Sequence, residues 1–293
     1  MLERPYLLLP LVSSIIYVLG ALLVRRAADL GVGLWRTTFV SNTLSAILFL
    51  PLKWLGGPGQ PASQLWQPAL LALLLVVGQT LGFYALTRGD VTVATPVLGL
   101  KTILVAALTP LLLGLPLRPQ LWFAAALTTL GIALLHRAGP GHHRRLGLSV
   151  SAASAAAIAF ALFDLLIQRW SPIWGAGQLI PVVMGLGAVF SLGLVPLFRE
   201  PLWRIPAPAR LPLLGGSACI SAQGILLITT VGVFGDSTAV NVVYATRSLW
   251  MVLAVWSVGH WFRNPEQNLG RQVLGARLAG AVFMAAAIVL AAG

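Results

Sequence analysis

Charged residues are scarce in this chain. Asp, Glu, Lys and Arg make up 9% of its 293 residues, against roughly 25% in soluble globular domains, which excludes a water-soluble fold. Acidic residues are scarcest, seven against 19 basic ones, so clustered carboxylates for acid–base chemistry are missing. The one cysteine, Cys219, excludes an intrachain disulfide and a Cys-x-x-Cys metal site. Phosphate-binding glycine loops, zinc-peptidase helices and nucleophile elbows are lacking as well. The stretch Gly185-Leu186-Gly187-Ala188-Val189-Phe190 lacks both the third glycine and the preceding strand of a dinucleotide site. No cofactor and no metal are expected, and the chain is not expected to be an enzyme.

Apolar residues are abundant, at 58%. With about 20 residues needed to cross a bilayer, the apolar runs read as spans at 6–24, 34–52, 67–86, 91–114, 120–136, 148–168, 174–197, 211–232, 236–262 and 273–292. Such runs are too long for barrel strands, and a helix satisfies its own backbone in hydrocarbon. The expected fold class is an all-α integral membrane protein with ten transmembrane helices. The first run follows Met1-Leu2-Glu3-Arg4-Pro5 without the charged start or cleavage site of a secretory signal, so it reads as a retained helix. Trp35, Trp54, Trp66, Trp122, Trp170, Trp174, Trp203 and Trp261 fall near span ends, where indoles prefer the interface. Gly78 with Gly82, and Ala276 with Gly280, are spaced for close helix approach. The stretches Gly56–Pro61 and Ala138–Arg145 read as linkers. The net charge of +12 raises the question of nucleic acid, but most arginines lie between apolar runs. Membrane lipids are therefore the expected partners, with no nucleic acid.

The chain repeats itself. Gly89-Asp90-Val91-Thr92 recurs as Gly235-Asp236-Ser237-Thr238, an offset of 146 residues (235 minus 89), and the same registration places Lys101 on Arg247 and Thr102 on Ser248. Tyr17 to Arg26 aligns with Phe160 to Arg169 at an offset of 143 (160 minus 17), matching Tyr17 to Phe160 and Arg26 to Arg169. Two halves follow, 1–138 and 148–293, joined by a linker at 139–147. Each has five spans, an odd number, so the second half must enter the membrane inverted. Inverted repeats characterise transporters, whose halves rock about a site between them.

Three charges fall well inside spans: Lys101, Asp164 and Arg247. A charge at mid-bilayer costs at least about 2.5 to 3.5 kcal/mol, so each asks for an explanation. Either the two cations face a wet cavity and hold an anionic group of the substrate, or Asp164 and backbone carbonyls neutralise them. Asp164 either carries a coupling proton or pairs with one of the cations. Tyr244 and Trp250, three residues before and after Arg247, share its face of a continuous helix and either line the cavity or pack against neighbours. Gln79 and Gln223 either contact substrate or bond between helices. Asp90 and Asp236 read as helix N-caps, and His142-His143-Arg144-Arg145 as a solvated charge run.

The two-by-five layout and the run YALTRGDVTVATPVLGLKTILVAALTPLLLG resemble the drug/metabolite transporter superfamily with EamA-type five-helix halves. TLGIALL and ARLAGAVFMAAAIVLAAG look like the fifth helices of such halves. The chain departs from the family where Gly-Glu often follows the fourth helix, here Gly114-Leu115-Pro116. The resemblance implies transport of a small metabolite through a central cavity. Lys101 and Arg247 also match in position the basic residues that bind phosphate in plastid sugar-phosphate translocators, which makes organic or phosphorylated anions the leading substrate class. The alternatives are an exporter of amino acids or hydrophobic cations, with Asp164 as the contact, and a lipid flippase. A small-molecule substrate, a coupling proton or counter-substrate, and the plasma (inner) membrane are expected. Basic residues concentrate in the loops opposite the termini, which by the positive-inside rule puts both termini outside, whereas the resemblance implies cytoplasmic termini.

Overall fold

The computed structural model describes residues 4–88, 91–135, 146–258 and 271–292. Among these no strand occurs. The α-helices are α1 (Leu8–Asp29), α2 (Leu34–Leu48), α3 (Trp66–Arg88), α4 (Val91–Gly99), α5 (Lys101–Leu113), α6 (Pro119–Leu135), α7 (Leu146–Trp174), α8 (Ala176–Phe190), α9 (Ala207–Phe234), α10 (Ser237–Tyr244), α11 (Arg247–Val258) and α12 (Arg271–Ala292). Among the described residues seven helical segments are long and apolar enough to cross a membrane, and Pro119–Leu135 and Leu278–Ala292 are shorter apolar helices.

Two expected spans are not continuous helices. The run 91–114 divides into α4 and α5 at Leu100, and 236–262 divides into α10 and α11 at Ala245 and Thr246. At each break the bonding tightens to a three-residue reach: Leu100 N–H donates to the Val97 carbonyl at 3.1 Å, and Thr246 N–H to Val243 at 3.1 Å. The backbone stays right-handed, with Leu100 at φ −58°, ψ −18° and Ala245 at φ −61°, ψ −18°. Pro96 removes one N–H from the ladder of α4. Near Thr246 the competitor is a side chain, because its hydroxyl also donates to the Val243 carbonyl, at 2.7 Å. Such tight turns inside a helical run mark hinges or strain.

The most extensive helix contacts join α1 to α9, α6 to α12 and α3 to α7. Small residues permit them, since apolar helices in lipid associate through close packing. A Cβ at Gly280 would stand 2.7 Å from the Gly131 carbonyl oxygen, so α6 and α12 touch backbone to backbone. Gly78 receives the ring of Phe160 from α7, whereas Gly82 makes only ordinary contact.

Two further expectations are corrected. Gly56–Pro61 is no free linker: Gly59 N–H donates to the Trp174 carbonyl at 3.0 Å. A Cβ on Gly57 would come within 2.6 Å of Gly175 Cα, and both glycines have positive φ. Trp170 and Trp174 are buried rather than at a lipid interface. Trp174 Nε1 donates to Gln67 at 2.7 Å, and Trp170 packs edge-on against Trp66. Hydropathy locates a span end, but the neighbouring helices decide which face of it meets lipid. The stretch 138–145, Trp261, Asp90 and His142 to Arg145 lie outside the described residues.

Candidate functional site

Lys101 opens α5 directly after the turn at Leu100, and its Nζ stands 2.7 Å from Asp164 Oδ2 on α7. The same oxygen accepts from Asn241 Nδ2 on α10 at 2.6 Å, and that amide also donates to the Ser237 carbonyl at 2.9 Å. Asp164 is buried. Of the two pairings open in the sequence for this acid, the one with Lys101 is made, joining α5, α7 and α10. A buried pair of this kind contributes little net stability, yet removing one partner costs about 3 to 5 kcal/mol because the other charge is stranded.

Arg247 opens α11 after the turn at Thr246. Its guanidinium carbon lies 4.4 Å from the ring centre of Tyr244 and 5.2 Å from that of Tyr17 on α1. Aromatic faces attract a cation at such distances but do not neutralise it. Among the described residues no carboxylate lies within 4.0 Å of Arg247. One turn further along α11, the buried Nε1 of Trp250 has no acceptor among the described residues. The arrangement therefore presents a guanidinium held by Tyr244 and Tyr17 but by no carboxylate within 4.0 Å among the described residues, one helical turn from an unmatched N–H donor. Across the site, Lys101 Nζ lies 5.8 Å from the ring of Phe160. Ser14 and Thr246 share a hydroxyl bond at 3.0 Å, which ties α1 to the break.

The other expected site residues are distributed as follows. Gln79 on α3 accepts from Asn42 of α2 at 3.0 Å. Gln223 on α9 donates to the Ile220 carbonyl at 3.0 Å, and its own carbonyl accepts from Ser13 of α1 at 2.9 Å. Both glutamines thus make interhelical bonds. Tyr244, Arg247 and Trp250 do not share one continuous helix face, because Tyr244 ends α10 and the other two belong to α11. Tyr244 meets Arg247 by folding over it. Asp236 caps α10, accepting from Ala239 N–H at 3.2 Å, and also accepts from Arg4 at 2.9 Å and Tyr6 at 2.8 Å.

Two participants were missed as site residues in the sequence, Tyr17 and Asn241. Tyr17 had a signal: the offset that pairs it with Phe160 pairs the two rings that lie beside Arg247 and Lys101. Asn241 had none, being one amide in an apolar run. Among the described residues no group of three or more His, Cys, Asp and Glu could hold a metal ion.

The model of the EamA-like transporter family matches residues 4–137. No curated protein sequence matches the chain. A solved structure described as a crystal structure of a protein matches 98% of this chain and 98% of its own, with a TM-score of 0.72 and 17% identity. At that identity the likeness concerns the fold. Together with the seven apolar helices among the described residues, the family match over residues 4–137 indicates a multi-pass integral membrane transporter. Residues 4–137, just under half of the chain, are thus similar to the EamA-like transporter family.

Proposed function

We propose that the chain is a ten-span secondary transporter that moves small organic or phosphorylated anions across the plasma membrane by alternating access. In this reading two inverted five-helix repeats, 1–138 and 148–293, are joined at 139–147. Three observations support the repeat. The contacts of α1 with α9 and of α3 with α7 exchange under it, and α6 with α12 maps on itself. The tight turns at Leu100 and Thr246 fall at equivalent positions, each one residue ahead of the interior cation. Lys101 meets an aromatic ring of the second half, and Arg247 one of the first. Transporters commonly bind substrate where broken helices meet near mid-membrane.

The observation that carries the anion reading is Arg247, a cation without a described carboxylate partner, beside the unmatched Trp250 Nε1. A carboxylate or phosphate would satisfy both donors, since guanidinium forks bind such groups in a bidentate manner. The lone interior acid, Asp164, is occupied by Lys101 and Asn241, which argues against a cationic substrate. An arriving anion competes with Asp164 for Lys101, and a released carboxylate in that setting is the group to take up a coupling proton. Counterflow into liposomes loaded with single organic anions or phosphate esters tests the reading. Accumulation by the native chain and its loss in Arg247→Gln are expected. A chain that moves only cations or lipids would overturn it.

A further inference from the structure

A cavity of about 490 Å³ opens where the α1–α2 turn meets the segment following α8. That volume suits a small ligand. None of Lys101, Asp164 or Arg247 lines it. Its floor holds Arg36, the third residue of α2 and only 3% exposed. The start of α2 has Gly33 as its N-cap residue, no side-chain cap bond and no acid in its first turn. A helix start carries free N–H groups and about half a positive charge. The fold therefore buries a cation at the electropositive end of a helix, where anions are favoured and cations are not.

The compensation within the protein is incomplete. Arg36 Nη2 donates to the Gly31 carbonyl at 2.9 Å, and Nη1 lies 3.5 Å from that of Pro201. Its buried Nε has no partner among the described residues. The nearest described carboxylate, Glu200, stands 3.6 Å away with its side chain 55% exposed, a geometry in which water screens most of the attraction. Arg199 and Glu200, both exposed, line the rim with one charge of each sign, so that with Arg36 the lining carries two cations against one carboxylate. Trp35, Tyr84 and Phe198 supply apolar wall, and Phe198 is braced edge-on by Phe39 at 5.8 Å.

We infer that this cavity is a separate anion-binding site, which takes a phosphate group against Arg36, Arg199 and the start of α2, with the attached apolar part on Trp35, Tyr84 and Phe198. Helix starts bind phosphate in this way. The phosphate belongs either to a water-soluble ester or to an anionic lipid headgroup. The site stands independently of the central one.

The test uses the full chain carrying Arg247→Gln, which silences the central cation, in nanodiscs of neutral phosphatidylcholine. Inorganic phosphate is titrated at fixed ionic strength while tryptophan fluorescence is followed. A saturable change is expected that disappears in Trp35→Phe, and whose half-saturating phosphate rises about tenfold or more in Arg36→Gln or Arg199→Gln. Arg199 is exposed, so its variant reports even where Arg36→Gln fails to fold. That result supports a soluble phosphate. A change seen only when phosphatidylglycerol replaces part of the lipid, and lost in the same variants, supports a headgroup as the source. No change in either arm, or a change indifferent to both arginine substitutions, overturns the site.

Discussion

Arg247 and Tyr17, 230 residues apart (247 minus 17), meet with the guanidinium carbon 5.2 Å from the ring centre. The tyrosine comes from α1 and the arginine from α11, so the contact joins helices far apart in the chain. A tyrosine ring supplies a negative face without a formal charge, which steadies the cation and leaves its N–H groups for another acceptor. Tyr17→Phe should therefore retain transport, whereas Tyr17→Ala should weaken anion affinity by about three- to tenfold. Concentration dependence of uptake in liposomes checks this. Equal loss in both variants would assign the effect to the hydroxyl.

The pair formed by Lys101 and Asp164 makes single and double substitutions behave differently. Lys101→Gln strands a buried carboxylate and Asp164→Asn strands a buried ammonium, so each should destabilise by about 3 to 5 kcal/mol. The 2.7 Å contact is what makes Lys101→Gln a folding variant as well as a site variant. The double variant, neutral on both sides, should recover most of the loss. Thermal unfolding of the three proteins in detergent measures the coupling, and additive losses would show that the pair does not interact.

Close packing of α6 on α12 leaves no room at Gly280, where a Cβ would meet the Gly131 carbonyl oxygen at 2.7 Å. Gly280→Leu should force the helices apart and lower stability by about 1 to 3 kcal/mol or more. Gly147, which has open space around its Cβ position, is the control, and Gly147→Ala should be close to neutral. Midpoints of thermal unfolding compare the two. A stable Gly280→Leu protein would contradict the contact.

Asp236 joins the cap of α10 to Arg4 and Tyr6. Asp236→Ala removes the cap at a cost of about 1 kcal/mol and also releases Arg4. Asp236→Asn keeps an acceptor for Ala239 N–H while losing the charge. The alanine variant should be the less stable, and protection of the first residues from protease should fall in both. Unchanged protection would show that the Arg4 contact does not hold the start of the chain.

Membrane residence, helical content and the three interior charges were legible in the amino-acid sequence, because hydropathy and span length are properties of a line of residues. The line also paired Tyr17 with Phe160 in alignment before either was known to face a cation. Only tertiary structure decided that Asp164 goes to Lys101 rather than Arg247, since both cations lie at similar depth and the choice depends on which helices pack together. It also decided where two expected spans tighten, at Leu100 after Pro96 and at Thr246, where the threonine hydroxyl competes with the backbone in a way hydropathy does not register. Arg36 illustrates the difference most directly. In sequence it is one arginine among many, near the start of an expected span, and only the fold buries it at an uncapped helix start, where its Nε and its charge lack full compensation.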